Sequence, residues 1–418
     1  MMTGQNLTAS LAAEKVAQEG LAERVGVRDA LTSFLRRVRG GDVGPLPVIV
    51  GLGLIWAILQ GLNDAFLSPR NLVNLLTQCA SVGTIAIGVV LVLLVAQIDL
   101  SIGSMSGLAA AILGVGLTQL GWSLPLTIIV ALLAGVVVGL IYSAVFAWFG
   151  VPTFVITLAG LLALLGLQLQ ILGAHGSINI PFDTSLVQFM QQTYVQRPLS
   201  YVLAAAVAAV YLVSRFARLH RRWAHGLRTL SPANAIIKSV VLLVILETAC
   251  WYLNQDRGVS APFVLFIGLI VIVDLLLSRT KWGRQVYAVG GSVEAARRAG
   301  INVHRIFTST LVLGTLFATL GGLLAAGRIA AASTSSGTGT VNLNAIAAAV
   351  IGGTSLFGGR GNAYSALLGI LVIQSIANGL TLLNLASSVQ FMITGGVLMV
   401  AVIVDSITRR TRAAHGRA

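Results

Sequence analysis

The stretch LPLTIIVALLAGVVVGLIYSAVFAWF, Leu124–Phe149, carries no charged side chain from end to end. As a helix rising about 1.5 Å per residue it would be roughly 39 Å long, more than the hydrocarbon core of a bilayer at about 30 Å. Gly135 and Gly139 within it stand four apart, a spacing that lays both glycines on one helix face and lets another backbone come close. Gly103 and Gly107 repeat that spacing upstream. Such faces can pack inside one chain or between two copies, and both readings stay open here.

The rest of the chain has the same character. Of its 418 residues, 56% are hydrophobic and 10% charged, and the mean hydropathy is +0.90, well outside the usage of soluble domains. An integral membrane protein follows. Apolar runs at 45–62, 72–97, 101–119, 153–173, 199–215, 236–253, 262–278, 306–327, 343–357, 364–383 and 389–405 join 124–149, and runs of about 17 to 25 residues read as spanning helices. The expected fold is all-α, a polytopic bundle of ten to twelve transmembrane helices.

Orientation comes from the basic residues, since Lys and Arg resist translocation. If the N-terminus is cytoplasmic, all of the 27 Lys and Arg fall in cytoplasmic loops or tails except Arg70, Arg197, Arg257 and Arg328. The densest blocks are 215–228 and 279–305. The expectation is a cytoplasmic arm over 1–44, a transmembrane domain over 45–408 and a cytoplasmic tail over 409–418. The arm mixes Glu14, Glu19 and Glu23 with several arginines and lacks the apolar core of a signal peptide. The net charge of +14 is thereby spent on orientation and lipid contact, and a nucleic-acid partner is not expected. Cys79 and Cys250 are isolated within apolar runs, without spacing for a metal or redox site.

Few residues offer chemistry. The run GGTSLFGGRG, Gly352 to Gly361, lacks the Lys and hydroxyl of a phosphate-binding loop, so it reads as a tight turn and the chain holds no ATPase site of its own. An acid inside a span is costly and is by default a functional candidate. Asp99, in QIDLSIGSMSG, stands where one run ends, and either it or Ser101 can cap the next helix. Glu247 lies mid-run in VVLLVILETACWYLN with no basic neighbour in that stretch, a candidate for transport or for pairing inside the bundle. Asp274 and Asp405, near Arg279 and Arg409, read as interfacial. His304 reads as a surface residue.

One polar stretch interrupts the apolar pattern: GGSVEAARRAGINVHR, residues 290–305. Ser292 suits an N-cap, Glu294 suits the positive end of a helix dipole, and Gly300 suits a stop. The spacing predicts a helix over 293–299 with Val293, Ala296 and Gly300 on one face and Glu294, Arg297 and Arg298 on the other. Two turns do not persist alone in water, so the helix must dock, either on its own bundle or on a partner.

The segment with Glu294, Ala295, Ala296 and Gly300 resembles the E-A-A-x-x-x-G motif of bacterial ABC importer permeases. IDLSIGSMSG, YAVGGSVEAARRAGINV and NLNAIAAAVIGGTSLFGGRG are similar to signatures of the monosaccharide branch of that family, although Asn344 replaces the acid common in the last of them. Within that branch the xylose permeases also carry an extra basic loop and helix pair, which RRWAHGLRTLSPANAIIK and its flanking runs resemble. The resemblance implies a type II-like importer transmembrane domain in the bacterial inner membrane, working as two copies. It further implies an ABC ATPase subunit, with two fused cassettes, that binds ATP and magnesium, and a periplasmic sugar-binding protein. This chain would need no cofactor. Glu294 to Arg298 and Gly300 would dock on the ATPase, and Asp99, Ser101, Glu247, Gln374 and Asn378 are candidates for the sugar path. A proton-coupled sugar carrier using Glu247 or Asp99 is the competing reading.

Overall fold

A computed structural model describes residues 46–224 and 232–396, together with 399 and 403. The arm over 1–44, Asp405, the tail over 409–418 and part of the basic loop after residue 224 lie outside the described residues. Each of the twelve apolar runs overlaps helix among the described residues. These helices are α1 (Leu46–Leu62), α2 (Pro69–Leu94), α3 (Ile102–Thr118), α4 (Leu124–Phe149), α5 (Thr153–Leu172), α6 (Ser185–Gln192), α7 (Arg197–Ala224), α8 (Pro232–Leu253), α9 (Ala261–Arg279), α10 (Lys281–Gly291), α11 (Val293–Arg298), α12 (Val303–Ile329), α13 (Thr340–Ile351) and α14 (Tyr364–Leu382). Helical residues over 387–396 cover the start of the last run. Two short strands, β1 (Ser177–Asn179) and β2 (Ala331–Ser333), pair antiparallel with Ile178 opposite Ala332.

Local chemistry explains the helix ends. Ser68 accepts from the Asn71 N–H and Pro69 occupies the first turn of α2, where the missing proline N–H has no intrahelical partner to lose. Gly150 closes α4 with φ 66°, a left-handed stop that glycine adopts without strain.

The described helices form two compact units. One is the pair α7–α8, over Pro198–Trp251. In it the Cys250 thiol meets the Ser200 carbonyl at 3.6 Å, and the Arg215 guanidinium lies 5.1 Å from the centre of the Tyr211 ring. The other unit holds the remaining helices around α12, which packs along α2 and against α3 and α4. A Cβ on Gly88 would come within 2.7 Å of the Gly314 carbonyl, and one on Gly139 within 2.7 Å of Val312 Cα. Gly135 likewise abuts Thr319, and Gly103 abuts Gly337 and Asn342. The glycine faces of the sequence are thus used inside the chain, letting backbones touch.

The core of this unit includes Leu75, Ile85, Leu91, Met105 and Phe266, all fully buried. Its outer surface is apolar too: α4 exposes Leu126, Ile129, Leu133, Val137, Leu140 and Ile141. Each such side chain left in water forgoes about 1.5–3 kcal/mol of burial, so a contiguous belt of them fits lipid. Among the described residues, eight helices are long and apolar enough to cross a membrane.

Two expected spans are different in kind. The run 343–357 gives only the 12 residues of α13, about 18 Å of helix, before the glycine turn. The run 101–119 gives α3, whose first residues are buried rather than at a surface. The two short helices begin side by side: the Asn342 amide donates to the Leu100 carbonyl at 2.8 Å. Residues 95–101 and 330–339 are the breaks that allow this.

The ends of this unit sort by charge. At one end Leu94, Gly290 and Gly359 touch, and Arg279, Lys281, Arg284, Arg297, Arg298, Arg305 and Arg360 belong to the segments gathered there. At the other, Asn63 bonds Leu382, Tyr252 bonds Leu67, Arg257 bonds Tyr194 and Asn74, and Gln191 bonds the Arg328 carbonyl. The four basic exceptions of the sequence, Arg70, Arg197, Arg257 and Arg328, lie in the segments at that second end.

Candidate functional site

The polar stretch over 290–305 forms a helical hairpin at the basic end. Thr280 caps α10 by accepting from Gly283 N–H, and Ser292 caps α11 by accepting from Ala295 N–H at 3.2 Å. After Ala299 the chain turns: Gly300 has φ +77°, its N–H donates to the Arg297 carbonyl, and Ile301 N–H donates to Ala296. This paired closure satisfies two carbonyls that the helix end leaves free. The expected cap and stop are therefore both present, one residue tighter than the predicted 293–299.

The two faces of α11 differ from the sequence expectation in one respect. Ala296 is buried and Val293 half-buried against the protein's own core, where Ile301 joins them. Gly300 does not share that face; it is exposed, and a Cβ there would meet nothing within 4 Å. The reason is the left-handed turn, which swings residue 300 out of helical register. Glu294, Ala295, Arg297, Arg298 and Gly300 form the exposed face, with Glu294 and Arg297 paired at 3.3 Å. His304 is exposed beside it, as expected.

The glycine turn over 352–361 packs against this hairpin. Tyr287 of α10 donates its hydroxyl to the Gly361 carbonyl at 2.9 Å. Burial, helped by the charge of Asp274, raises the Tyr287 hydroxyl above its ordinary value, which keeps it a donor. Gly353, Gly358, Gly359 and Gly361 all have positive φ, so the tight-turn reading holds.

Asp99 and Ser101 lie in the break before α3. Both are buried; one Asp99 carboxylate oxygen accepts from the Ser101 N–H at 2.8 Å and from its hydroxyl at 2.7 Å, while the other has no hydrogen-bond partner among the described residues. Ser101 occupies the cap position without making a side-chain cap bond. Asp99 thus organises the helix start from two residues upstream. Thr157 of α5 accepts from the Leu100 N–H at 3.1 Å and donates to the Ile98 carbonyl at 3.3 Å, and Asn342 holds Leu100 from the other side.

The remaining candidates scatter. Gln374 donates to Gln78, and Asn378 accepts from Asn71 at 2.8 Å; both amides bridge α14 to α2. Glu247 is half-buried on α8, in the separate α7–α8 unit, and makes no ion pair among the described residues. The structure brings Asp99 and Ser101 together.

A cavity of about 290 Å³ escaped sequence reasoning. It is lined by Thr340, Leu343, Asn344 and Ala347 of α13 and by Phe391 and Thr394. The Asn344 carbonyl oxygen there is buried without a partner among the described residues. The surface open to this cavity is apolar, and the Asn344 oxygen is sealed away from it, so the cavity offers no polar groups to a sugar. The only trace in the sequence is Asn344 itself, inside the motif where the related branch has an acid.

Apolar belts around a helical core, two short helices meeting at an internal break and a charged hairpin at one end define a multi-pass membrane permease. The chain belongs to the family described as branched-chain amino acid transport system / permease component, whose model matches residues 71–402. It is 36% identical over 348 residues to the xylose transport system permease protein XylH of Escherichia coli K12, covering 83% of this chain and 88% of that relative. The XylH protein of Haemophilus influenzae is 33% identical, across 87% of this chain and 96% of its own length. The ribose import permease protein RbsC of Escherichia coli K12 is 30% identical, across 86% of this chain and 92% of its own length. No solved structure matches the chain.

Proposed function

We propose that this chain is the permease subunit of an ATP-driven importer of a neutral pentose, D-xylose first, in the bacterial inner membrane. Two copies enclose the path, a separate ATPase subunit with two fused cassettes binds ATP and magnesium, and a periplasmic binding protein delivers the sugar. Both termini face the cytoplasm, as does the basic end of the bundle. The observation that carries this reading is the α11 hairpin: one face anchored through Ala296, the other presenting Glu294, Arg297, Arg298 and Gly300. A helix seated on its own bundle with a charged outer face moves as a handle when a partner grips it. Similarity to the xylose permeases, together with the α7–α8 pair, supports xylose over ribose.

The test is uptake of labelled xylose into proteoliposomes holding this chain, its ATPase subunit and the binding protein. Uptake should require internal ATP and survive a protonophore. Uptake that follows a proton gradient without ATP would replace this reading with the proton-coupled one, for which the unpaired Asp99 oxygen is the available carboxylate. Xylose uptake that is nil while another sugar moves with ATP would remove only the substrate assignment.

A further inference from the structure

Beside the side-chain packing of Val286, Val289 and Ala296 in the core, one contact between the hairpin and the bundle runs backbone to backbone. The Gly359 N–H donates to the Leu94 carbonyl, at the last residue of α2, at 2.9 Å. Gly290, near the end of α10, lies so close that a Cβ on it would overlap the Leu94 carbonyl oxygen and come within 2.6 Å of Gly359 N. A Cβ on Gly358 would lie 2.7 Å from both the Ala96 Cβ and the Gly290 carbonyl oxygen. Tyr287 ties the same helix to Gly361. Three segments distant in sequence thus meet with no flexible atoms to take up slack.

Two routes lead inward from this junction. Through Leu94 and Ala96, the latter itself left-handed at φ 58°, the chain enters the break that holds Asp99 and Ser101. Through the glycine turn, it enters α13, whose Asn342 holds the Leu100 carbonyl of that same break. The two routes close into a ring: α10, end of α2, break, start of α13, glycine turn and back to α10.

We infer that this backbone junction of Gly290, Leu94 and Gly359, latched by Tyr287, transmits displacement of the α10–α11 hairpin to the buried break where α3 and α13 begin. The inference rests on the importer reading and adds to it where the stroke goes. Side chains can rotate and absorb a small displacement; packed backbone cannot, because such interfaces shift between discrete arrangements rather than deform. Gly290 and Tyr287 are then positioning residues: neither touches sugar or nucleotide, and both set how hairpin motion reaches the break.

Gly290→Ala wedges the junction open, and Tyr287→Phe removes the latch while keeping the ring. Gly268→Ala on α9, where a Cβ meets nothing within 4 Å, is the control. Hydrogen–deuterium exchange on each purified variant and ATP hydrolysed per xylose taken up are the two readouts. Both junction variants should copurify with the ATPase and speed exchange at 96–101 and 337–342 as well as at 287–291. Gly290→Ala should raise the ATP-to-sugar ratio at least about fivefold, the lower range of coupling effects between sites, and Tyr287→Phe at least about twofold, the lower worth of one hydrogen bond. Gly268→Ala should match wild type in both. Exchange changes confined to 287–291 overturn the linkage whatever the transport result, and so does an unchanged ratio in Gly290→Ala. Should Gly290→Ala not fold, Tyr287→Phe decides by the same two readouts. If wild type itself shows no ATP-dependent uptake, the importer reading fails, while the exchange pattern still tests the junction.

Discussion

Replacing Gly300 separates strain from charge at the end of α11. At φ +77° a side chain enters the left-handed region, which costs roughly 1–2 kcal/mol for most residues and less for Asn or Asp. No clash adds to this, since a Cβ meets nothing within 4 Å. In Asp, a negative charge near the negative end of the helix adds about 0.3–1 kcal/mol. Gly300→Asp therefore destabilises the hairpin by at most about 2 kcal/mol, and Gly300→Asn by about 1 kcal/mol or less. Neither sum unfolds a protein whose core lies elsewhere. In a seated interface the same carboxylate would be desolvated without a partner, a loss of several kcal/mol, and each 1.4 kcal/mol is about tenfold in affinity. Gly300→Asp should thus keep its melting temperature within a few degrees while copurification of the ATPase and xylose-stimulated hydrolysis fall at least about tenfold. Gly300→Asn should hold both within about threefold of wild type. The assay is pull-down and coupled ATPase activity in proteoliposomes, with melting followed by fluorescence. Asp and Asn variants that behave alike would refute a docking face at Gly300 and leave α11 as a helix that merely lies on its own bundle.

Glu294→Ala should be mild, because its partner Arg297 is exposed and such a pair contributes less than about 1 kcal/mol; ATPase copurification within about twofold of wild type checks it. Gly135→Val should overpack the α4–α12 contact by about 1–3 kcal/mol and lower the melting temperature of the single chain. If it left that melting untouched but split a dimer, the glycine would belong to a subunit interface instead.

Much of this protein is written locally. A bilayer core sets both the length and the composition of any helix crossing it, so each apolar run overlaps helix among the described residues, and Leu124–Phe149 is read to the residue. Caps and stops are equally local, because Ser292 and Gly300 act on backbone groups three positions away. The basic residues divide between two ends for a reason that precedes folding, the resistance of cations to crossing lipid.

What needed the tertiary structure is every feature fixed by residues far apart in sequence. The glycine spacing at 135–139 predicts a close approach, but only the packed helices name Thr315 and Thr319 as the neighbours. Periodicity assigned Gly300 to the face of Ala296, and the turn moved it to the other. Gln374 and Asn378 are legible as polar positions within a run, but only the packing names Gln78 and Asn71 as their partners. The run over 343–357 reads as a span because hydropathy does not register that its helix starts inside the bundle, beside a second one, with Asn342 reaching Leu100. Periodicity and hydropathy score each segment alone, whereas breaks, cavities and backbone junctions exist only where segments meet.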